Sequence, residues 1–166
     1  QAIIDRFKQI EPKILFVTDH YFYNNKLIDT LHHIPAILKK LPSIEKVILI
    51  PYKKKIKTLK FKCVHWEDIF KNNNTYSKFE KFNFNQPLYI LYSSGTTGDP
   101  KCIVHGAGGS LIQHKKEHQL HCNIKENDKV FYFTTCGWMM WNWLISSLAS
   151  KSTIILFDGS PFTPKI

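Results

Sequence analysis

Short apolar runs recur along this 166-residue chain at residues 14–18, 46–50, 88–92, 130–134 and 153–157. Each has the length of a buried strand, and segments of helical period separate most of them. Alternation of this kind predicts an α/β fold with a largely parallel sheet flanked by helices, because a parallel crossover has to pass over a sheet face. Residues 25–41 place Leu27, Ile28, Leu31, Ile34, Ile37, Leu38 and Leu41 at helical spacing, with a break or kink expected at Pro35. A short helix is expected over residues 66–70, and an Asn-rich loop over 71–85. Residues 102–105 read as a short extended segment. Gly106, Gly108 and Gly109 then open a helix to about Cys122, and residues 138–149 read as a mostly apolar helix.

Glycine divides the chain. All seven glycines lie at or after Gly95. Glycine lets a ligand approach the backbone closely, so tight ligand binding is expected in the second half. Charge divides it as well. Of the formal net charge of +10, +8 falls in residues 1–94 and +2 in the remainder. A basic balance raises nucleic acid as a partner, but Arg6 is the only arginine, and lysine is a poor substitute in bidentate recognition of phosphates and bases. Specific nucleic-acid binding is therefore not expected. Six lysines at residues 53, 54, 55, 57, 60 and 62 read as a solvated connection, with an electrostatic route for anions as the alternative.

No apolar run approaches the ~20 residues of a membrane-spanning helix, and the first residues do not read as a secretory leader. The expectation is a cytoplasmic protein with no membrane partner. The chain opens on Gln1 and ends at Ile166 just past a strand-like run, so it reads as a piece of something longer. Cys63, Cys102, Cys122 and Cys136 show no C-x-x-C spacing, and reduced thiols are expected.

The most informative stretch is Ser93-Ser94-Gly95-Thr96-Thr97-Gly98-Asp99-Pro100-Lys101, directly after an apolar run. Glycines let successive backbone N–H groups converge on an anion, hydroxyls add donors, and Lys101 adds a charge that can follow a phosphate. The spacing is not that of a Walker loop, since Gly95 and Gly98 are three apart and Lys101 follows a proline. Gly106-Ala107-Gly108-Gly109 lacks the third glycine of a dinucleotide fingerprint. On the residues alone, a phosphate nest stands against a solvated Ser/Thr/Gly turn.

The run from Ile90 to Lys101 resembles the AMP-binding signature of the adenylate-forming superfamily at every position. Further likeness lies in residues 101–109, in Gln113-His114 through Lys116-Glu117-His118, in Gly137-Trp138-Met139-Met140-Trp141-Asn142-Trp143, in Asp158-Gly159-Ser160-Pro161 and, upstream, in Asp5-Arg6-Phe7 and Ile10-Glu11-Pro12-Lys13. Together these resemble the acetoacetyl-CoA synthetase (acetoacetate–CoA ligase) family, and the Trp/Met cluster is the most specific part. The resemblance implies a ligase that activates acetoacetate with ATP, through an acyl-adenylate, for transfer to coenzyme A, with Mg²⁺ sharing the phosphate charge. It assigns Ser93, Ser94, Gly95, Thr96, Thr97, Gly98 and Lys101 to the ATP phosphates, Lys101 in a catalytic role, and Trp138 and Met139 to the acyl pocket. Asp99 falls at the variable position and is expected to point outward.

The resemblance also implies that residues 1–166 are a fragment of the large N-terminal AMP-binding domain. The acidic Mg²⁺ motif, the ribose-binding aspartate and the small C-terminal domain would lie outside it, and the fragment alone should not turn over. Another short-chain acyl-CoA synthetase of acetyl or propionyl type is the alternative within the class, and a basic nucleic-acid module the alternative outside it. The oligomeric state is not readable.

His114, His118 and His121 stand at i, i+4 and i+7, a spacing that can bind zinc. Without an H-E-x-x-H, and beside Lys115 and Lys116, polar packing on a surface helix is the preferred expectation. His105 is placed to cap or pack, or to reach a phosphate or the acyl group. Two of the three tryptophans between residues 138 and 143 are expected in the core.

Overall fold

The structure, a computed structural model, describes residues 1–52, 59–71, 78–93, 98 and 100–161. Contacts divide the chain into two units, residues 1–78 with the segment from Asp158, and residues 79–157.

In the first unit, α1 (Ala2–Phe7) precedes β1 (Ile14–Thr18), the hairpin of β2 (His20–Tyr23) and β3 (Lys26–Asp29), then α2 (Ile34–Lys40), β4 (Lys46–Ile50), β5 (Val64–His65) and α3 (Trp66–Ile69). Strands β1, β4 and β5 form a parallel sheet with β4 in the middle, in a register that pairs Leu15 with Val47 and Ile48 with Val64. Val47, Ile48 and Leu49 are all buried. A central parallel strand covered on both faces requires such a continuous apolar run. Leu15, Ile34, Ile37 and Leu41 form the core beside it.

The expected helix over 25–41 is corrected here. Asn24 and Asn25 both take positive φ, at 49° and 60°, and close a two-residue turn between Tyr23 and Lys26. Asparagine tolerates the left-handed region, and such primed turns match the twist of hairpin strands. A 3₁₀ turn, Leu31–His33, then leads into α2, where Pro35 lies in the first turn rather than kinking a longer helix. That position suits proline, whose missing N–H would have no intrahelical partner there.

In the second unit β6 (Pro87–Ser93) and β7 (Lys101–Gly106) pair antiparallel, followed by α4 (Ala107–Lys116), a π turn (Glu117–His121), β8 (Lys129–Val130), α5 (Met139–Ser146), a 3₁₀ turn (Ser147–Ser150) and β9 (Thr153–Ile154). Strands β8 and β9 pair in parallel, and Val130, Trp143 and Leu144 form the core. The α/β class holds, with parallel pairing in β1–β4–β5 and β8–β9 and antiparallel pairing in the two hairpins. The strands expected over 130–134 and 153–157 are shorter, each reduced to two laddered residues. Phe131, Tyr132 and Phe133 stand exposed beyond Val130.

Helix α4 starts without a side-chain cap. Instead the Ala107 N–H donates to the Gln86 carbonyl at 2.8 Å and the Gly108 N–H to that of Phe84 at 2.9 Å. The first two orphan donors of the helix are thus used by the chain itself. A Cβ on Gly108 would run into the Phe84 ring, whereas one on Gly109 would meet nothing within 4 Å. Gly109→Ala should therefore gain about 0.5–1 kcal/mol from helix propensity. Gly108→Ala should lose that gain to overpacking, which typically costs about 1–3 kcal/mol. Denaturant melts of the two variants test this, and equal stabilisation by both would show that Phe84 does not constrain the helix start.

Candidate functional site

The β6–β7 ladder fixes both ends of the polar loop. Ser93 closes β6 and Lys101 opens β7, and the two are register partners. Of the residues expected at the phosphates, Ser93, Gly98 and Lys101 are described, whereas Ser94, Gly95, Thr96 and Thr97, with Asp99, lie outside the described residues. A Cβ on Gly98 would meet nothing within 4 Å. Most of the lysine-rich stretch also falls outside the described residues, at 53–58. His105 stacks on Tyr89, its register partner on β6, with ring centroids 4.9 Å apart.

The aromatic run enters α5. Trp143 is buried, Trp141 half-buried, and Trp138 is 69% exposed at the helix N-cap with Met139 exposed beside it. The same segment thus contributes core at one end and an open apolar surface at the other. Trp138 and Met139 lie on a different element from Ser93 and Lys101, within the same unit.

Of the three histidines, His114 and His118 make polar packing contacts as expected, but His121 does not share their face. His114 and His118 are buried, whereas His121 is exposed. The cause is the π turn, sealed by a hydrogen bond from the Cys122 N–H to the Glu117 carbonyl at 2.9 Å. An i→i+5 bond inserts a residue into the turn and breaks the i, i+4, i+7 face. Among the described residues no three His, Cys, Asp or Glu side chains converge as metal ligands.

What His114 and His118 do is join α4 and the π turn to α5. His118 Nε2 lies 3.0 Å from the Trp143 carbonyl, which only accepts, so Nε2 carries the proton. His114 Nδ1 lies 2.9 Å from Ser146 Oγ, whose own hydroxyl donates to the Asn142 carbonyl at 2.8 Å. Nδ1 is therefore the donating nitrogen of His114. The Trp143 indole N–H donates to Glu117 Oε2 at 3.0 Å, and Gln113 Nε2 donates to the other carboxylate oxygen at 2.6 Å. The bond from Gln113, with that from Trp143 adding to it against burial, holds the Glu117 carboxyl below its ordinary value.

A second polar cluster, not singled out from the sequence, sits at the carboxyl ends of β1 and β4. Asp19 Oδ1 accepts from the backbone N–H of His20 at 3.0 Å and of Tyr52 at 2.7 Å, and Oδ2 lies 3.0 Å from His20 Nδ1. The Tyr52 hydroxyl donates to Asp158 Oδ2 at 2.7 Å, which pushes the phenol up. The sequence signal for this cluster was weak, since an Asp-His pair after an apolar run looks like any strand exit. The four cysteines carry free thiols, Cys122 and Cys136 at the surface.

Residues 1–166 match the AMP-binding enzyme family over their whole length. The chain belongs to that family. Within it, the chain is 45% identical to acetoacetyl-CoA synthetase of Gallus gallus over 98% of its own length and 26% of that protein. It is 47% identical to acetoacetyl-coenzyme A synthetase of Rhizobium meliloti (strain 1021), over 99% of the chain and 26% of the relative. The solved structure of acetoacetyl-CoA synthetase from Streptomyces lividans superposes with a TM-score of 0.90 at 40% identity, over 98% of this chain and 25% of that one. The chain thus spans about a quarter of the length of the AMP-binding relatives it matches. No helix among the described residues is long and apolar enough to cross a membrane.

Burial pushes both His114 and His118 below their ordinary value of 6.5. For His114 the neighbouring His118 and His105 add to the effect and Glu117 opposes it. For His118 the bond to Trp143 and the charge of Glu117 oppose it. As pH falls through about 6.5 the unfolded rings take up protons that the folded rings refuse, so the unfolded state binds more protons and stability declines. The contribution is fully present above that pH. The melting temperature should fall more steeply from pH 7.5 to 5.5 in the native sequence than in a His114→Gln, His118→Gln double variant. Identical slopes would remove the two rings as the cause.

Proposed function

We propose that this chain is a segment of the large AMP-binding domain of a longer enzyme that activates acetoacetate to acetoacetyl-CoA. The observation that carries the reading is the similarity to acetoacetyl-CoA synthetases of animal and bacterial origin along nearly the whole chain. The polar loop between β6 and β7 supports it, because its residues suit a triphosphate.

The reaction is a ligation in two displacements. A carboxylate oxygen of the acid attacks the α-phosphorus of ATP, the bond to the bridging oxygen breaks, and pyrophosphate leaves. The sulfur of coenzyme A, having given up its proton, then attacks the acyl carbonyl carbon, and AMP leaves with the electron pair of the broken C–O bond. The first step asks the protein chiefly for positioning and for neutralisation of phosphate charge. Ser93, Ser94, Thr96 and Thr97 offer hydroxyl donors, Gly95 and Gly98 leave the backbone N–H groups accessible, and Lys101 brings the cation. Pairing of Ser93 with Lys101 gives the loop two fixed posts, so less order has to be imposed when ATP binds.

Mg²⁺ would neutralise triphosphate charge, but the described side chains offer no cluster to hold it. The ion would enter with the nucleotide and find its protein ligands elsewhere. Trp138 and Met139, exposed where α5 begins, form the acyl-pocket wall. The setting is cytoplasmic lipid metabolism, in keeping with a small water-soluble acid as substrate.

In the complete enzyme, Lys101→Ala should slow ATP–pyrophosphate exchange on the order of 10²-fold, the scale for losing one charge-stabilising group. The KM for acetoacetate should change little. Unaltered exchange would take Lys101 out of the reaction. Trp138→Ala should shift the ratio of kcat/KM among acetate, acetoacetate and a six-carbon acid by roughly 10–200-fold, the range for a one-methylene mismatch in an apolar pocket. A uniform fall for all three acids would place Trp138 outside the acid site.

A further inference from the structure

We infer that His118 is a positioning residue for acid selection: by holding Trp143 it fixes the pose of α5, and with it Trp138 and Met139 at that helix's start. The inference rests on the proposed acyl wall and adds to it the residue that sets its position.

His118 is 0% exposed on the π turn, with its ring edge-on to Trp143 at a centroid distance of 4.4 Å. Its Nε2–H donates to the Trp143 carbonyl at 3.0 Å. The other ring nitrogen, Nδ1, is buried with no hydrogen-bond partner among the described residues. An orphaned buried polar atom is costly, and an apolar ring of similar size would fill the space without it. Packing alone therefore does not account for a histidine here. What the imidazole provides that a phenyl ring cannot is one directional bond to the backbone of α5.

The neighbouring side chain grips the same residue from the other side. Glu117 Oε2 accepts from the Trp143 indole N–H at 3.0 Å. Adjacent residues of the π turn thus bind Trp143 by its main chain and by its side chain, which limits both rotation and sliding of the helix. A further attachment runs from His114 Nδ1 to Ser146 Oγ and on to the Asn142 carbonyl. Two anchorage points on one helix define its direction.

At the start of α5 the Trp138 N–H donates to the Thr135 carbonyl at 3.1 Å and Met140 packs on the core, but no comparable side-chain bond is seen there among the described residues. Trp138 caps it without a side-chain hydrogen bond, and both Trp138 and Met139 are exposed. Trp143 lies five residues on, about 7.5 Å along the axis at 1.5 Å per residue. In a short rigid helix, a shift at Trp143 is carried to Trp138. The open end is therefore aimed from the buried end. A misplacement of about 1 Å is enough to alter how a bound acid is held for reaction.

The test uses the complete enzyme and measures kcat/KM for acetate, acetoacetate and a six-carbon acid, with the KM for ATP alongside. His118→Phe keeps the ring volume and removes the donor. It should shift the ratio among the acids roughly 10-fold, the lower end of what apolar pocket fit provides, while the KM for ATP stays near native. His118→Gln, whose amide N–H can reach the same carbonyl, should restore most of the native ratio. If His118→Phe yields no soluble protein, Glu117→Ala carries the same comparison by freeing the indole. An equal fall for all three acids and for ATP, or no change, would overturn the inference and leave His118 a packing residue. Trp138→Ala separates the two levels. If it changes acid preference and His118→Phe does not, positioning alone is wrong. If Trp138→Ala leaves preference intact, the acyl wall itself is wrong and His118 has nothing to aim.

Discussion

The antiparallel ladder between β6 and β7 is the constraint on which the second unit depends. Its last pair sets Ser93 against Lys101, so the polar loop leaves and re-enters the sheet at one place. A slip of one residue would turn every side chain of β7 to the opposite face, Lys101 among them. The same strand runs through Gly106 directly into α4, whose first two N–H groups are held by carbonyls from the segment before β6. Loop posts, strand register and helix start are therefore one rigid arrangement. The N–H groups of Ala107 and Gly108 are both taken up within the chain.

From α4 onward, side-chain hydrogen bonds do what apolar contact does elsewhere. The core around Val130, Trp143 and Leu144 is small, with few partners packed on it. Buried polar groups at the α4–α5 contact make it directional. The His118 bond to Trp143, the Glu117 bond to its indole, and the His114–Ser146–Asn142 chain allow one relative placement of the two helices. Apolar side chains of the same volume would bury more surface but would tolerate sliding. Low dielectric makes such bonds strong when satisfied and expensive when not. Protonation of either ring would leave its donor bond in place, and it is burial of the charge that opposes it.

The fold class was legible because β1, β4 and α2 carry unambiguous periods. Residues 46–50 read as a strand, and its middle residues Val47, Ile48 and Leu49 are buried. Loss of legibility began where two periods coincide. Leu27, Ile28 and Leu31 fit a helix, but Lys26–Asp29 also fits a strand that buries neither face, so alternation left no mark. The Asn24-Asn25 pair was the signal that could have decided it, since both residues adopt the left-handed turn that a hairpin needs. Residues 131–134 failed for another reason: an apolar run reports strand propensity, whereas a ladder needs a partner at the right place, and pairing is not local. For the histidines the departure lies at the π turn, and it concerns His121 alone. A helical wheel assumes i→i+4 bonding throughout, and one i→i+5 bond sends His121 outward while His114 and His118 stay inside. Of the polar loop, the described residues hold its two ends, Ser93 and Lys101 as register partners, together with Gly98.

On the proposed reading the loop grips ATP, the co-substrate used with every acid, so it cannot distinguish among the acids. Interactions made equally with all substrates raise affinity without conferring choice. Discrimination between a two-carbon and a four-carbon acid has to come from a surface that touches the part in which they differ. On the proposed reading that surface is the exposed start of α5, where Trp138 and Met139 stand clear of the core. An exposed aromatic edge has no selectivity until something fixes its position. The π turn binds the buried tryptophan, Trp143, by its main chain and its side chain, and on the inference drawn above the exposed Trp138 takes its position from it through five residues of helix. On the proposed reading, phosphate binding and acid choice rest on separate elements with separate supports, the ladder for one and the histidine-anchored helix for the other. Acid preference can on this arrangement change by repositioning α5 while the ATP loop stays as it is.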